Sequence, residues 1–469
     1  MLLIGTARSA AVAQPGSTER VSIDSAEGQA DVFVAPGGQT PGSFRPSISD
    51  DGRIVVFASN AADLVAGDTN GVLDVFLRDR ETGITERVSV SGTGAQANGL
   101  SGEAQVIGNG RFVMFVSDAT NLVAGDTNGA SDIFVRDRVA GTTERVSLDA
   151  GDRQLATDSF EAAISDDGRF VAFRSLTPTG GGLIFVRDRQ AGTTELASRD
   201  PAGNVEDISF SPAISGDGRF VAFVAFTGSG DQTTLFLRDR ATGTTRSLGT
   251  NLSPASLNGD GSVVAFVSGV GVGSVVMVLD RVTGATQSIG PGFDPVLSAD
   301  GRFVAFTEPA VGLQGILVHD RLTGTTERAS VNSAGEAADN GSFFADISAD
   351  GRFVAFESPA GNLVPGDTNA ASDVFVRDRA PSPGAEQQLA ALRSRITGFG
   401  LPRGIEQSLT VKVDAALRAL ERGRIPAACG NLEALASHAR AQAGKRLTQA
   451  QAAQVIADAR RVADGLGCR

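Results

Sequence analysis

One pattern of apolar and polar positions recurs seven times within residues 18–379. In each copy a short strand leads to an Asp-Gly or Asn-Gly pair, which favours the positive φ angles of tight hairpins. An apolar run such as Phe170–Phe173 follows, then a segment like DVFVRDR, a Thr-Gly turn and a TERVS segment. The glycines of the first turn are Gly52, Gly110, Gly168, Gly218, Gly261, Gly301 and Gly351.

The repeated unit predicts four antiparallel strands joined by hairpins, at a spacing of about 40 to 58 residues. Segments such as FVAF are apolar on both faces, which suits a sheet packed between two neighbouring sheets, because a one-sided sheet would alternate. Regular repetition of such a unit is typical of β-propeller blades. We therefore predict an all-β, seven-bladed propeller.

The two ends of the repeat region predict how the ring closes. The seventh copy ends with Asp373–Arg379 and lacks a TERVS segment, whereas Thr18–Ile23 (TERVSI) stands alone before the first copy. An open ring would leave two unpaired sheet edges. We expect Thr18–Ile23 to form the outermost strand of the seventh blade, beside three strands from the C-terminal side.

The repeat also carries a family resemblance. Over residues 18–379, the motif SxDGRFVAF…DVFVRDRxTGTTERVS resembles the TolB-like, WD-like propeller repeats of bacteria. TolB itself has six blades, so this chain departs from TolB in blade number. The resemblance implies a protein of the cell envelope with an interaction surface that is usually not catalytic, and it implies no particular partner.

After a Pro- and Gly-containing linker at 380–386, the pattern changes to helical over 387–469. Thr448 and Gln451 have the spacing of a capping box. We predict a small bundle of about four helices. One apolar helix face is made by residues four apart, namely Ile405, Leu409, Val413 and Leu417.

The helical region has a resemblance of its own. The segment Gly400–Ala452 resembles the FIMAH-type C-terminal domains of secreted bacterial proteins. This resemblance supports export more than any mechanism. The only cysteines, Cys429 and Cys468, lie in the same region. In an oxidising compartment they could form a disulfide, provided that the fold brings them close together.

Residues 1–17 have features of a shortened secretory signal. Ala11-Val12-Ala13 fits the pattern of small residues at a cleavage site. The apolar run is short, however, and Arg8 follows it instead of preceding it. A start codon assigned too far downstream would explain both departures, and a disordered N-terminal segment is the alternative. We predict a secreted or periplasmic protein.

Charge is divided unevenly along the chain. The net charge is -13, and residues 384–469 contain 13 Lys and Arg against 7 Asp and Glu, so this region carries +6 and the remainder -19. The overall balance argues against a surface that neutralises nucleic-acid phosphates. The basic region could be simply solvated, or could bind the acidic propeller or an anionic envelope polymer. No apolar run approaches the roughly 18 residues of a transmembrane helix.

One loop motif occurs only in the first, second and seventh copies, as GDTNGVLD, GDTNGASD and GDTNAASD. Its Asp-x-Asn-x-x-x-Asp spacing places three oxygen ligands in a tight turn, as calcium loops do. The alternative is an Asn-rich turn whose Asp side chains cap backbone groups, and Ala370 weakens the tight-turn argument in the third copy. The candidate calcium ligands are Asp68, Asn70, Asp74, Asp126, Asn128, Asp132, Asp367, Asn369 and Asp373.

The sequence offers little for catalysis. His319 takes a place that arginine occupies in other copies, and His438 lies in a predicted helix; neither belongs to a recognisable triad or zinc motif. Hydrolysis by a carboxylate pair needs only two suitably spaced Asp or Glu. One Asp, however, recurs in all seven copies just before the turn between the third and fourth strands, where its carboxylate can accept hydrogen bonds from turn N–H groups.

These observations favour a non-enzymatic scaffold that binds a protein partner through the face carrying the long loops and the DTN loops, since variable loops on a rigid frame are where binding concentrates. A calcium-assisted carbohydrate-binding module of the envelope is the alternative, although the absence of Trp and Tyr disfavours sugar stacking. A carboxylate-based hydrolase or lyase is the least favoured class.

Overall fold

The computed structural model describes residues 16–31, 42–227, 232–253, 255–269, 271–309, 313–379, 385–420, 422, 424–466 and 468. The predicted signal segment 1–17, with its cleavage site, lies outside these residues except for Gly16 and Ser17. The predicted linker 380–386 also lies outside them except for Ala385 and Glu386, which begin the first helix.

Seven four-stranded antiparallel sheets form the blades. The strands of blade one are β2 (Ser43–Ile48), β3 (Ile54–Ser59), β4 (Asp74–Asp79) and β5 (Ile84–Arg87), and those of blade two are β6 (Ser101–Ile107), β7 (Phe112–Ser117), β8 (Asp132–Asp137) and β9 (Thr142–Arg145). Blade three has β10 (Ser159–Ile164), β11 (Phe170–Leu176), β12 (Gly182–Asp188) and β13 (Thr193–Leu196), and blade four has β14 (Ser209–Ile214), β15 (Phe220–Phe226), β16 (Thr233–Asp239) and β17 (Thr244–Thr250).

The remaining blades follow the same order from the innermost strand outward. Blade five has β18 (Ser256–Leu257), β19 (Val263–Ser268), β20 (Val275–Asp280) and β21 (Thr286–Pro291), with a 3₁₀ turn at Gly271–Gly273. Blade six has β22 (Phe293–Leu297), β23 (Phe303–Thr307), β24 (Ile316–Asp320) and β25 (Thr325–Arg328). Blade seven has β26 (Phe343–Ile347), β27 (Phe353–Ser358), β28 (Asp373–Asp378) and, from the N-terminal side, β1 (Thr18–Arg20).

The ring is closed, as the sequence predicts. The innermost strand of each blade contacts that of the next, and β26 of blade seven contacts β2 of blade one. Strand β1 pairs antiparallel with β28 and is therefore the outermost strand of blade seven. The ladder ends at Arg20, but the Val21 N–H still donates to the Val374 carbonyl oxygen at 2.8 Å.

The repeated apolar segments form cores between adjacent blades. In most blades, phenylalanines of the second and third strands stack on each other; the ring centroids of Phe57 and Phe76, for example, are 6.1 Å apart. The second strands are buried on both faces, and all six residues of β3 are inaccessible to solvent or nearly so. This double burial is what the continuous apolar runs predict.

Arginine–aspartate pairs fix the hairpin side of six blades. The arginine after the first turn, Arg53 in blade one, makes a bidentate contact with Asp79, at 3.0 and 2.7 Å. Asp79 also accepts hydrogen bonds from the N–H groups of Glu81 and Thr82 in the Thr-Gly turn. The recurrent Asp before that turn is therefore structural. The other pairs are Arg111–Asp137, Arg169–Asp188, Arg219–Asp239, Arg302–Asp320 and Arg352–Asp378.

The C-terminal region forms a four-helix unit that is compact in itself. Buried Leu, Ile, Val and Ala side chains from all four helices make its core, and Thr448 and Gln451 cap the last helix reciprocally at 3.1 and 3.0 Å. No helix among the described residues is long and apolar enough to span a membrane. The helices are α1 (Ala385–Gly398), α2 (Arg403–Leu420), α3 (Ile425–Gln442) and α4 (Gln449–Gly465).

A disulfide joins Cys429 of α3 to Cys468 beyond α4, with the two Cα atoms 5.6 Å apart. The predicted pairing of the two cysteines is therefore present in the structure. Because the bridge connects residues 39 positions apart, it ties the start of α3 to the segment after α4 and limits the freedom of the unfolded helical region.

Candidate functional site

The DTN loops connect the second and third strands of three adjacent blades. The last Asp of each loop begins the third strand, as Asp74 begins β4 in blade one. The long loop that follows blade one reaches the same place, because Gln96 contacts Asp68. Both kinds of loop therefore lie on one face of the ring, opposite the hairpins, and we call this face the loop face.

Each DTN loop encloses an arginine. In blade one, Nη1 of Arg87 lies 3.3 Å from Asp68 and 3.6 Å from Asp74. Asn70 donates to Asp74 at 2.8 Å, and Gln96 donates to Asp68 at 2.8 Å. The guanidinium and the two amides thus occupy the space between the carboxylates, where a metal ion would have to bind.

Blades two and seven repeat the arrangement. Arg145 lies 3.2 Å from Asp126 and 3.3 Å from Asp132, and Asn128 donates to Asp132 at 3.0 Å. In blade seven the arginine is Arg20, 3.4 Å from Asp367 and 3.3 Å from Asp373, with Asn369 beside it. Ala370 keeps the left-handed turn, at φ 53°, that Gly71 adopts in blade one.

Burial dominates the electrostatics of these loops. Asp74 and Asp132 are fully inaccessible and Asp373 is 1% exposed. Burial raises the pKa of Asp68, of Asp132 and of Asp373, and the charges of the arginines oppose that rise. Within the described part of the chain, no group of three or more His, Cys, Asp or Glu side chains is suited to a metal ion. Calcium binding by these loops stays a prediction.

Sequence reasoning missed the arginines and glutamines of this cluster, although a signal was present. The arginine is that of the TERVS segment, and the glutamine follows it by nine residues, as Gln96 follows Arg87. Both accompany the DTN loop in the three blades that have it. Blade six has the arginine, Arg328, without a DTN loop, and there it pairs with Glu308.

The innermost strands of all seven blades line a central channel of about 570 Å³. Because each innermost strand starts at the loop face and ends at an Asp-Gly or Asn-Gly hairpin, the channel runs between the two faces. Among the residues that the structure describes, its walls carry six carboxylates and a single arginine, Arg45. The carboxylates belong to Asp50, Glu103, Glu161, Asp166, Asp294 and Asp346.

The mouth at the loop face is built by a recurrent bulge. Arg45, Glu103 and Glu161 occupy equivalent positions and have φ of 47°, 48° and 48°, a left-handed conformation that costs about 1–2 kcal/mol for such residues. Carboxylates bind the bulge N–H groups across blades: the Glu161 N–H donates to Glu103 at 3.1 Å, and the Ser211 N–H to Glu161 at 2.7 Å. Carboxylates therefore link neighbouring blades at the mouth, and each also lies near an arginine, Glu103 3.7 Å from Arg45 and Glu161 3.4 Å from Arg174.

Two aspartates lie at the hairpin end of the channel. The Asp50 N–H donates to the Gly108 carbonyl and the Asp166 N–H to the Gly216 carbonyl, each at 2.9 Å, so backbone contacts hold adjacent hairpins together. Burial, followed by the charge of Asp166, raises the pKa of Asp50 to about 7, and burial raises that of Asp166 to about 6. A signal existed here too: these two copies read SDDG, whereas others read SGDG or SADG.

The two histidines make contacts of a structural kind. His319 is 5% exposed, and its Nδ1 lies 2.8 Å from the Thr326 hydroxyl of the neighbouring strand. His438 Nε2 lies 3.0 Å from the Ser408 hydroxyl, which also donates to the Ile405 carbonyl at 2.9 Å. Because that donation engages the hydroxyl proton within α2, Ser408 is poorly arranged to give its proton to His438.

No protein-family model and no curated protein matches the chain. Among solved structures it is similar to an oligogalacturonate lyase in complex with manganese, at 11% identity and a TM-score of 0.53, over 79% of this chain and 99% of that one. It also matches an oligogalacturonate lyase from Vibrio parahaemolyticus (12%, TM-score 0.49, 78% and 98% covered) and TolB from Acinetobacter baumannii (14%, TM-score 0.38, 66% and 77% covered).

At these identities the likeness shows the fold alone, and a fold does not decide between binding and catalysis. Solved structures of TolB proteins are also among those similar to this chain. The FIMAH resemblance of the helical region stays a prediction.

Proposed function

We propose that this chain is a non-catalytic binding scaffold of the cell envelope, secreted or periplasmic, which holds a protein partner at the loop face of its propeller. The observation that carries the proposal is the channel that opens on this face. Residues of all seven blades line it, and those that are described include six carboxylates and one arginine. The disulfide supports an oxidising compartment, because such bonds persist there and are rare in the cytosol.

The channel indicates the chemistry of the partner. Burial raises the pKa of Asp50, Asp166, Asp294 and Asp346, which means that their ionised forms lack sufficient compensation in the unbound protein. A cation in the channel would supply that compensation. A volume of about 570 Å³ admits a few side chains and excludes a folded domain. We therefore expect a protein whose exposed lysine- or arginine-bearing segment enters the mouth.

The test is a binding titration with labelled hexalysine, followed by recovery of proteins from envelope fractions on the immobilised chain. Replacing Glu103 and Glu161 by Gln keeps an oxygen acceptor for each bulge N–H and removes two charges. We expect this double variant to bind hexalysine about ten-fold more weakly, roughly 1.4 kcal/mol, and to recover less of the partner. Glu336→Gln, which removes one charge from an exposed turn of the loop face, is the control and should bind hexalysine as the wild type does.

The outcomes separate the proposal from the calcium-assisted carbohydrate alternative. Proteins recovered equally in calcium and in EDTA, and lost with the double variant, support the scaffold. Polysaccharide recovered in calcium alone would instead support the alternative and assign it to the DTN loops. Equal recovery by the double variant and the wild type would remove the channel from the binding site.

One observation favours a second candidate, a carboxylate-based hydrolase or lyase. Asp50 and Asp166 are near enough for the charge of one to raise the pKa of the other, as in acid–base pairs. Against it, the described channel lining offers one arginine among six carboxyl groups, which is poorly suited to hold an anionic sugar such as the oligogalacturonate in the name of the lyase of similar fold. Turnover of oligogalacturonate that is abolished by Asp50→Asn or Asp166→Asn would establish this candidate.

A further inference from the structure

The four-helix unit contains a groove that the binding function of the propeller does not use. It lies between α3 and α4 and encloses about 690 Å³. Its bed is apolar, with Ile425, Pro426 and Leu432 from α3 and Ala459 and Ala463 from α4. A volume in the range of roughly 300–1,000 Å³ and a mostly apolar lining with a few polar groups are typical of small-molecule sites.

The groove is long and narrow. Its lining residues on α3 run from Ile425 to Arg440 at helical spacing, which corresponds to about 22 Å at roughly 1.5 Å per residue. The lining includes the small residues Gly430 and Ala436 on α3 and Ala459 and Ala463 on α4. This shape fits an extended hydrocarbon chain better than a compact ring system.

The two ends of the groove differ in chemistry. The Cys429–Cys468 bridge lies at one end, beside Ile425 and Pro426. Arg440 stands eleven residues after Cys429, and Arg460 eight residues before Cys468, so the antiparallel helices bring both arginines toward the opposite end. The groove is therefore apolar at the disulfide end and basic at the other.

The basic end is available to a ligand. Among the described residues, no acidic side chain forms an ion pair with Arg440 or Arg460, although Arg393 and Arg395 of the same unit are paired with Asp414 and Asp458. Among the described lining residues Glu433 is the one carboxylate, beside the two arginines Arg440 and Arg460. Unpaired arginines recognise carboxylates well, because their fork of donors matches both oxygens.

We propose that this groove binds a long-chain carboxylate, with its hydrocarbon tail toward the disulfide and its head group between Arg440 and Arg460. The site lies wholly within the four-helix unit. Burial of the tail supplies affinity and the two guanidinium groups supply selectivity for an anion.

The experiment uses the full chain and displacement of the fluorescent fatty acid 11-(dansylamino)undecanoate by laurate. The chain contains no Trp or Tyr, so protein emission does not interfere. We expect laurate to displace the probe and dodecyltrimethylammonium, which has the same tail and the opposite charge, to do so at least ten-fold less well. Arg440→Glu with Arg460→Glu should weaken laurate binding at least ten-fold, whereas Arg440→Lys with Arg460→Lys should retain most of it.

Arg418→Glu, an exposed position of α2 outside the groove, reverses one charge elsewhere on the same unit and should leave laurate binding unchanged. Ala463→Phe fills the bed without altering charge and should abolish displacement while helicity persists. Equal displacement by laurate and dodecyltrimethylammonium, no displacement at all, or full binding by the double Glu variant would each overturn the proposal.

Discussion

Val21 and Val374 belong to opposite ends of the propeller sequence, and the N–H of Val21 donates to the carbonyl oxygen of Val374 at 2.8 Å. Both side chains belong to one buried cluster with Phe57 and Phe76 of blade one. The N-terminal strand therefore completes the sheet of blade seven and also packs at the seam between blades seven and one.

We predict that Val21→Asp destabilises the whole propeller. Val21 is 2% exposed, so the new carboxylate would be buried without a partner, and we expect a loss of roughly 3 kcal/mol in the free energy of unfolding. Val139→Asp, at a hairpin position that is 78% exposed, should change it by less than about 0.5 kcal/mol. Thermal unfolding monitored by circular dichroism compares the two variants.

Deletion of residues 18–23 should lower the melting temperature of the whole propeller in one cooperative transition. Unchanged melting of that deletion would contradict closure by β1.

A second prediction concerns the arginine inside the DTN loop of blade one. Arg87→Met leaves Asp68 and Asp74 buried without a guanidinium, and breaking a buried ion pair from one side costs about 3–5 kcal/mol. Arg153→Met removes a comparable pair with Asp149, but the Arg153 side chain is 80% exposed, so the cost should stay below about 1 kcal/mol. Urea unfolding of the two variants measures this difference in the free energy of unfolding. Equal decreases in the two variants would show that the buried ion pair of Arg87 stabilises the fold no more than the exposed pair of Arg153.

Calcium should stabilise the Arg87→Met variant more than it stabilises the wild type. In the wild type the Arg87 guanidinium lies between the two carboxylates, so a calcium ion would have to displace it. In Arg87→Met that charge is absent and oxygen ligands remain. We expect millimolar calcium to raise the melting temperature of the variant by several degrees more than that of the wild type. An equal rise in both proteins would place calcium elsewhere on the molecule.

The parts of the fold that sequence could predict depend on local pattern. The blade number follows from the seven turn glycines, and the ring closure follows from the isolated TERVSI segment. Both are local signals, because turn residues and the hydrophobic pattern of each strand set how neighbouring strands pair. Predicting the disulfide with certainty would have required the distance between the Cα atoms of Cys429 and Cys468. That distance is 5.6 Å in the structure, and the spacing of the two cysteines in the sequence does not give it.

The candidate sites were harder to predict from the sequence, because each is assembled from separate strands or loops. Arg87 and Gln96 meet Asp68 only after β5 pairs with β4 and the next loop folds back. The acidic lining of the channel arises from innermost strands that are far apart in sequence, so the extra Asp in SDDG gains meaning only in the closed ring. The spacing of the DTN residues suggested a metal, whereas their surroundings contain a cation of the protein itself.

A fourth prediction follows from the raised pKa of Asp50. Its pKa is about 7 in the folded protein and 3.8 as the ordinary value, so the folded state binds a proton more tightly than the unfolded state between these values. The free energy of unfolding should therefore fall as pH rises from about 4 to 7, with Asp166 contributing in the same direction up to about 6. In Asp50→Asn the fall should be smaller. Glu81→Gln, 65% exposed and outside the channel, serves as the control, and an identical pH profile for Asp50→Asn would refute the assignment.

The last prediction concerns the opposite arm of the pH profile. Hydrogen bonds from Arg111 lower the pKa of Asp137 to about 2, and in Asp79 those from Arg53 and the turn outweigh burial, with the same result. These groups stabilise the folded state fully above about pH 3.8, and the contribution is lost as pH falls toward 2. Since the channel carboxylates act in the opposite sense above pH 4, stability should be greatest near pH 4–5. Urea titrations between pH 2 and 8 test this, and a maximum at pH 7 or above would contradict the assigned signs.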